Sequence, residues 1–102
     1  MCSMGTVGRL NRTGMEACRK GEFDEAEESL LLALRLVQTK GGNCTEAKIQ
    51  NNLGIVYELK GQNDKAVHHY RNALDIMRAK TALSHPLHGR IVQGLARLSP
   101  TG

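Results

Sequence analysis

The stretch Lys20-Gly21-Glu22-Phe23-Asp24-Glu25-Ala26 returns as Lys60-Gly61-Gln62-Asn63-Asp64-Lys65-Ala66. Lys, Gly, Asp and Ala keep their places at an offset of 40 residues. Ala33-Leu34 returns as Ala73-Leu74, and Gly14 as Gly54, at the same offset. A constant period of this size marks stacked supersecondary units, each unable to bury its apolar face alone. It directs attention to an extended surface rather than to a catalytic pocket.

Outward from this repeat, four helical stretches alternate with glycine-containing turns, and a fifth closes the chain. The first is expected from about Val7 to Lys20, where Gly21 supplies a C-terminal cap. Asp24 is the expected cap of the second, whose Leu30, Ala33, Leu34 and Val37 fall on one helical face. Gly41-Gly42 breaks that helix. Asn43, with Glu46 three positions on, forms a capping box for the third, which carries Ile49, Leu53, Val56 and Tyr57. Gly61 ends it and Asp64 is expected to cap the fourth, which carries Ala66, Val67, Tyr70, Ala73, Leu74 and Met77. Pro86 sits where a first helical residue tolerates proline. Beyond it Ile91, Val92, Leu95 and Leu98 are expected to point inward until Ser99-Pro100 stops the helix. No segment alternates as a strand does, so the class is all-α. Short turns force antiparallel neighbours. One domain is therefore expected over residues 1–102: a hairpin over about 7–40, a second over about 44–80, and a capping helix over about 86–98 that covers Leu74 and Met77.

Composition narrows the function classes. Aromatic residues are 3% of the chain and Trp is absent, too few for the stacking platforms of single-stranded nucleic-acid binders. The net charge of +4 favours acidic partners, but no run of four Lys or Arg occurs, so nucleic acid is not the expected ligand. Cys2, Cys18 and Cys44 are odd in number and fit no zinc or redox spacing, which reads as thiols in a reducing compartment. No leader-like or membrane-spanning apolar run is seen, so a cytoplasmic location without membrane attachment is expected.

Asn52-Leu53-Gly54-x-x-Tyr57, then Gly61, then Ala66-x-x-x-Tyr70-x-x-Ala73-Leu74, resembles a tetratricopeptide repeat (TPR). Small residues let the helices approach where the large ones interlock. The first unit repeats the pattern at Gly14, Gly21, Ala26, Leu30, Ala33 and Leu34, with Thr13 and Ala17 in place of large residues. The period of 40, and of 42 when Leu95-Ala96 is matched to Leu53-Gly54, exceeds the family's usual 34 or so. Together with Gln50-Asn51-Asn52-Leu53-Gly54 and His85-Pro86 it resembles the extended repeats of kinesin light chains. The resemblance implies two TPR hairpins plus a capping helix in an α-α superhelix. It also implies a non-enzymatic, cofactor-free adaptor whose concave groove, lined by the first helix of each unit, holds a peptide or protein segment.

Carried over by register, the resemblance places Asn11, Asn51 and Gln93 at one equivalent position, a row of amides able to pair with an extended backbone. Neighbouring groove positions are Arg12 and Asn52, then Met15, Ile55 and Arg97, then Lys48 and Arg90. Such a groove is amide-rich and basic, suited to an acidic or extended segment. Of the carboxylate clamp of chaperone-binding relatives only Asn52 is in place, so a chaperone tail is not the expected ligand. A second reading starts from Leu31 and Leu32, whose counterparts Arg71 and Asn72 are polar. Contiguous apolar surface marks an interface, and two units plus one helix fall short of three repeats, so a homodimer through these leucines is the alternative.

Nothing in the pattern supports catalysis or metal binding. His68 and His69 are adjacent and point to different helix faces. His85 and His88 straddle a helix start with no carboxylate or cysteine ligand nearby, whereas a metal site needs several converging ligands. Glu25, Glu27 and Glu28 lie near a helix N-terminus, where they favour its dipole.

Overall fold

The computed structural model describes residues 4–38 and 43–99. It contains five helices among those residues: α1 (Met4–Arg19), α2 (Phe23–Val37), α3 (Cys44–Leu59), α4 (Asn63–Ala79) and α5 (Pro86–Leu98). The class is all-α. α1 pairs with α2 and α3 with α4, α2 packs on α3, α5 packs on α4, and α3 touches both α1 and α5. The central helix α3 thus meets all four others. The Gly41-Gly42 break, Pro100 and Cys2 lie outside the described residues.

The repeated Lys-Gly pair makes each hairpin turn. Gly21 and Gly61 take φ of +81° and +79°, the left-handed conformation that glycine enters without a Cβ penalty. Around Gly21 the Glu22 amide bonds the Ala17 carbonyl at 2.9 Å and the Gly21 amide bonds Cys18 at 3.0 Å. Around Gly61 the Gln62 amide reaches Tyr57 at 2.8 Å and the Gly61 amide reaches Glu58 at 3.0 Å. These paired bonds are Schellman motifs, which satisfy carbonyls left open at a helix end. The turn is so tight that Glu22 and Gln62 become the N-caps, neither through its side chain. Asp24 and Asp64, expected as caps, therefore sit inside the first helical turn. Asn43 does cap α3, its side chain accepting from the Glu46 amide at 2.8 Å. Pro86 opens α5, whose cap is His85, with Nδ1 accepting from the Leu87 amide at 3.0 Å.

A third Schellman turn ends α4 without glycine. Thr81 holds φ of 51°, with its amide on Arg78 at 3.0 Å and the Ala82 amide on Met77 at 2.9 Å. A β-branched residue in this region is strained. Thr81→Gly is therefore expected to raise stability by about 1 kcal/mol, part of the gain being offset by glycine's looser unfolded chain. Thermal unfolding followed by circular dichroism should show a midpoint higher by about 5 °C.

The core follows the repeat. Ala26, Leu30 and Ala33 of α2 are fully buried, as are their counterparts Ala66, Tyr70 and Ala73 of α4. Ile49, Leu53 and Val56 of α3 are fully buried and Tyr57 nearly so. Tyr70 is clamped between two helices. A Cβ on Gly54 would lie 2.6 Å from its ring, and one on Gly94 would lie 2.7 Å away. Gly94 on α5 was not singled out by the sequence pattern; the 42-residue register aligns it with Asn52. On α5 the inward residues are Leu87, Ile91 and Gly94, with Leu95 and Leu98 half-buried. Val92, expected inside, is 43% exposed, because it lies one step round the helix from Ile91 and past the edge of the α4 contact.

Candidate functional site

The residues expected to line a groove belong to the row of helices α1, α3 and α5. Its centre is α3, unusual for burying four polar side chains, Glu46, Gln50, Asn51 and Asn52. A buried polar group is costly unless it is hydrogen-bonded. Gln50 Oε1 is 2.7 Å from His69 Nδ1 of α4, which donates to it. Asn52 Nδ2 donates to Asn11 Oδ1 of α1 at 2.8 Å. Glu46 keeps one oxygen, Oε1, buried with no partner among the described residues.

Asn51 differs from its neighbours. It is 3% exposed, yet its amide has no hydrogen bond among the described residues and is not among the fully enclosed polar atoms. No polar atom of its side chain is both sealed and unpartnered, so the amide lies at the edge of the packed interior. It shares a helical face with Lys48, three residues before it, and Ile55, four after it. Asn11, Asn51 and Gln93 do not present a uniform row: Asn11 is half-buried, Asn51 nearly enclosed and Gln93 exposed. The α3 amide that meets Asn11 is Asn52, one residue on from the register match.

At the N-terminal ends of α3 and α5 the chain leaves a cleft of about 350 Å³. Cys44, Thr45 and Lys48 line it from α3, and Pro86, Leu87 and Arg90 from α5, with His85 at the junction. Lys48 and Arg90, paired in the sequence register, are brought together here. Both are exposed, and neither has an ion-pair partner among the described residues. Among the described residues no carboxylate lines the cleft. Two helix N-termini add their partial positive charge, so the site favours an anion.

Toward the other end of the face stand Met15 and Ile55, both half-buried, and Leu59, 56% exposed. Arg12 is exposed on α1. Arg97 occupies a different role from its neighbours. Its Nε and one terminal nitrogen donate to Glu58 at 3.0 and 3.1 Å, while Tyr70 donates its hydroxyl to the same carboxylate at 2.9 Å. This clasp joins α3, α4 and α5. The Arg97 hydrogen bond leads in holding the Glu58 carboxyl below its ordinary range.

A second clasp joins the two hairpins. Lys60 donates to Asp24 at 2.8 Å and to Glu27 at 2.7 Å, and the Tyr57 hydroxyl donates to Glu27 at 2.6 Å. Those bonds, Lys60 first, lower the Glu27 pKa, while burial and then Glu27 push Tyr57 up to about 12. Neither clasp was anticipated. Both use a tyrosine of the repeat pattern and a charge from another helix, a signal that spacing alone does not separate from solvated helix residues.

His69 stacks on the Tyr57 ring, centroids 5.3 Å apart, with His68 edge-on to it. Burial first, then the His68 charge, moves its pKa down to about 4; Lys65 acts in the same direction and Glu27 against it. The unfolded imidazole titrates near 6.5. Between those values the unfolded chain binds the proton more readily, so stability is full above about 6.5 and falls as pH drops toward 4. The limiting slope for one proton is about 1.4 kcal/mol per pH unit. His69→Asn, which keeps a donor near the Nδ1 position, is expected to flatten urea-midpoint profiles across that window.

On the opposite flank Leu31 and Leu32 share a shallow depression with Leu10, Glu28, Ser29 and Arg35. Leu31 is half-buried, and Leu32 and Leu36 are each 42% exposed. Among the described residues no group of three or more His, Cys, Asp or Glu side chains converges as metal ligands would. No helix among them is long and apolar enough to cross a membrane.

Paired antiparallel helices, glycine-lined approaches and a recurring turn define an α-helical repeat protein. The profile of the tetratricopeptide repeat family matches residues 10–79, and the chain belongs to that family. Over 79 residues it is 30% identical to the protein Kinesin light chain-related 1 of Arabidopsis thaliana. That similarity takes in 78% of this chain but only 13% of the relative, so the chain spans a small part of the protein it matches. No solved structure matches it.

Proposed function

We propose that this chain is a non-enzymatic interaction module that holds an extended, acid-bearing segment of a protein partner on the face formed by α1, α3 and α5. The observation that carries the reading is Asn51: an amide packed on nearly all sides that has no hydrogen bond among the described residues. An amide offers both a donor and an acceptor, matching the backbone of an extended peptide. Membership of a family of protein-interaction repeats supports the same class. Lys48 and Arg90 supply charge complementary to an acidic side chain.

Selection of a random twelve-residue peptide library displayed on phage against the immobilised chain tests this. Enriched clones are expected, and their synthetic peptides should bind Asn51→Ala at least about tenfold more weakly while its circular dichroism stays helical, since one hydrogen bond in a desolvated site is worth roughly 1–3 kcal/mol. Failure of any sequence to enrich would remove the reading.

A second reading is a homodimer through α2, favoured by the exposure of Leu32 and Leu36 beside Leu31. Light scattering would end it by returning the mass of a single 11.2 kDa chain at high concentration.

A further inference from the structure

The α1/α3/α5 face changes its chemistry from end to end. Cys44, Lys48, Asn51, Ile55 and Leu59 follow one another on α3 at intervals of three or four residues, so they form one stripe along the helix. Its first turns are cationic, its middle an amide, its last turns apolar. Of the neighbouring helices α5 repeats the cationic start and α1 the apolar end, while Arg12 of α1 stands exposed beside Asn11 at mid-face. Arg90 joins Lys48 in the cleft at the start of the stripe. The Asn52–Asn11 bond fixes α1 beside α3, and Met15 lies one turn beyond Asn11, in the direction of Ile55. Arg97 does not reverse the gradient, because its guanidinium is committed to Glu58.

From this we infer that the face is polarised: it takes an acidic side chain at the Lys48–Arg90 end and a large apolar side chain at the Ile55–Leu59 end of the same extended peptide. This deepens the peptide-binding reading and rests on it. Leu59 lies eleven positions beyond Lys48, about 16 Å of helix at ~1.5 Å per residue. An extended chain covers that length in about five residues at ~3.3 Å each. The recognised determinant is therefore an Asp or Glu carboxylate and an apolar side chain about four to six positions apart.

The phage selection above supplies the test when read position by position. On the unaltered chain, enriched clones carry Asp or Glu and a large apolar residue at that spacing. The same library is then selected on Lys48→Glu/Arg90→Glu and, separately, on Leu59→Ser; all three side chains are exposed, and helicity is checked for each variant. Charge reversal is expected to replace the acidic residue by Lys or Arg at the same spacing. It should also weaken the original peptides more than about tenfold, as loss of a charge-assisted contact implies. Leu59→Ser should abolish the apolar preference and leave the acidic one. Clones in which acid and apolar residue are adjacent, or whose charge is indifferent to the reversal, overturn the polarity while leaving peptide binding intact. No enrichment on any of the three proteins overturns peptide binding itself.

Discussion

Tyr70→Ala is expected to lower folding stability by about 4 kcal/mol, the middle of the range for truncating a buried aromatic side chain. The ring is fully buried and lies between the backbones of α3 and α5 at Gly54 and Gly94. Neither glycine has a side chain to move into the space left behind, so the cavity persists on both sides. The hydroxyl also leaves, and Glu58 retains only Arg97 of its two partners. Against a total of about 5–15 kcal/mol for a small domain, the loss leaves a chain that is marginal at 37 °C. Urea unfolding followed by far-ultraviolet circular dichroism measures it. Tyr70→Phe, which removes only the hydrogen bond, should cost about 1 kcal/mol. A loss below that for the alanine variant would refute the clamp.

The second large effect comes from adding a methyl group. Gly54→Ala is expected to destabilise by about 2 kcal/mol net. A Cβ there sits 2.6 Å from Tyr70 Cε1, and the ring cannot retreat because Gly94 stands behind it. Overpacking of this kind costs up to about 3 kcal/mol. The better helix propensity of alanine returns about 1 of that. Gly89→Ala is the control, since nothing lies within 4 Å of a Cβ at that helical position. It should gain about 1 kcal/mol by the same propensity. Pairing Gly54→Ala with Tyr70→Leu, which takes the aromatic ring off the added methyl group, should recover part of the loss. A double-mutant cycle isolates that coupling. Equal and favourable effects of alanine at positions 54 and 89 would show that the ring has room.

Much of the fold was legible because the repeat is written in residues with a single physical use. Gly21 and Gly61 mark left-handed turns, Asn43 a cap, and Pro86 a first helical turn; each is found in that place. Misplacements arose where one function can be served by unlike residues. The turn after α4 repeats the Gly21 geometry with Thr81, which carries no such signature. Asp24 and Asp64 look like caps, but the tight turn starts each helix ahead of them and Asp24 serves Lys60 instead. Gly94 was invisible because its role depends on a ring contributed by another helix.

The candidate site was legible only in outline. The register pairs Lys48 with Arg90, and both line one cleft. It could not resolve which of two adjacent amides would reach α1: Asn52 does, and Asn51 has no hydrogen bond among the described residues. A rotation of one residue along a helix separates these outcomes, and that rotation is set by packing across three helices. The carboxylate that holds Arg97 is likewise decided by tertiary proximity.

The thiols offer a practical handle. Cys18 is enclosed and burial pushes its pKa up, whereas Cys44 stands exposed at the rim of the basic cleft. In a Cys2→Ser background a maleimide fluorophore should therefore report from Cys44. Its emission would track occupancy in real time, and shielding of the thiol by a docked ligand would slow the labelling reaction itself.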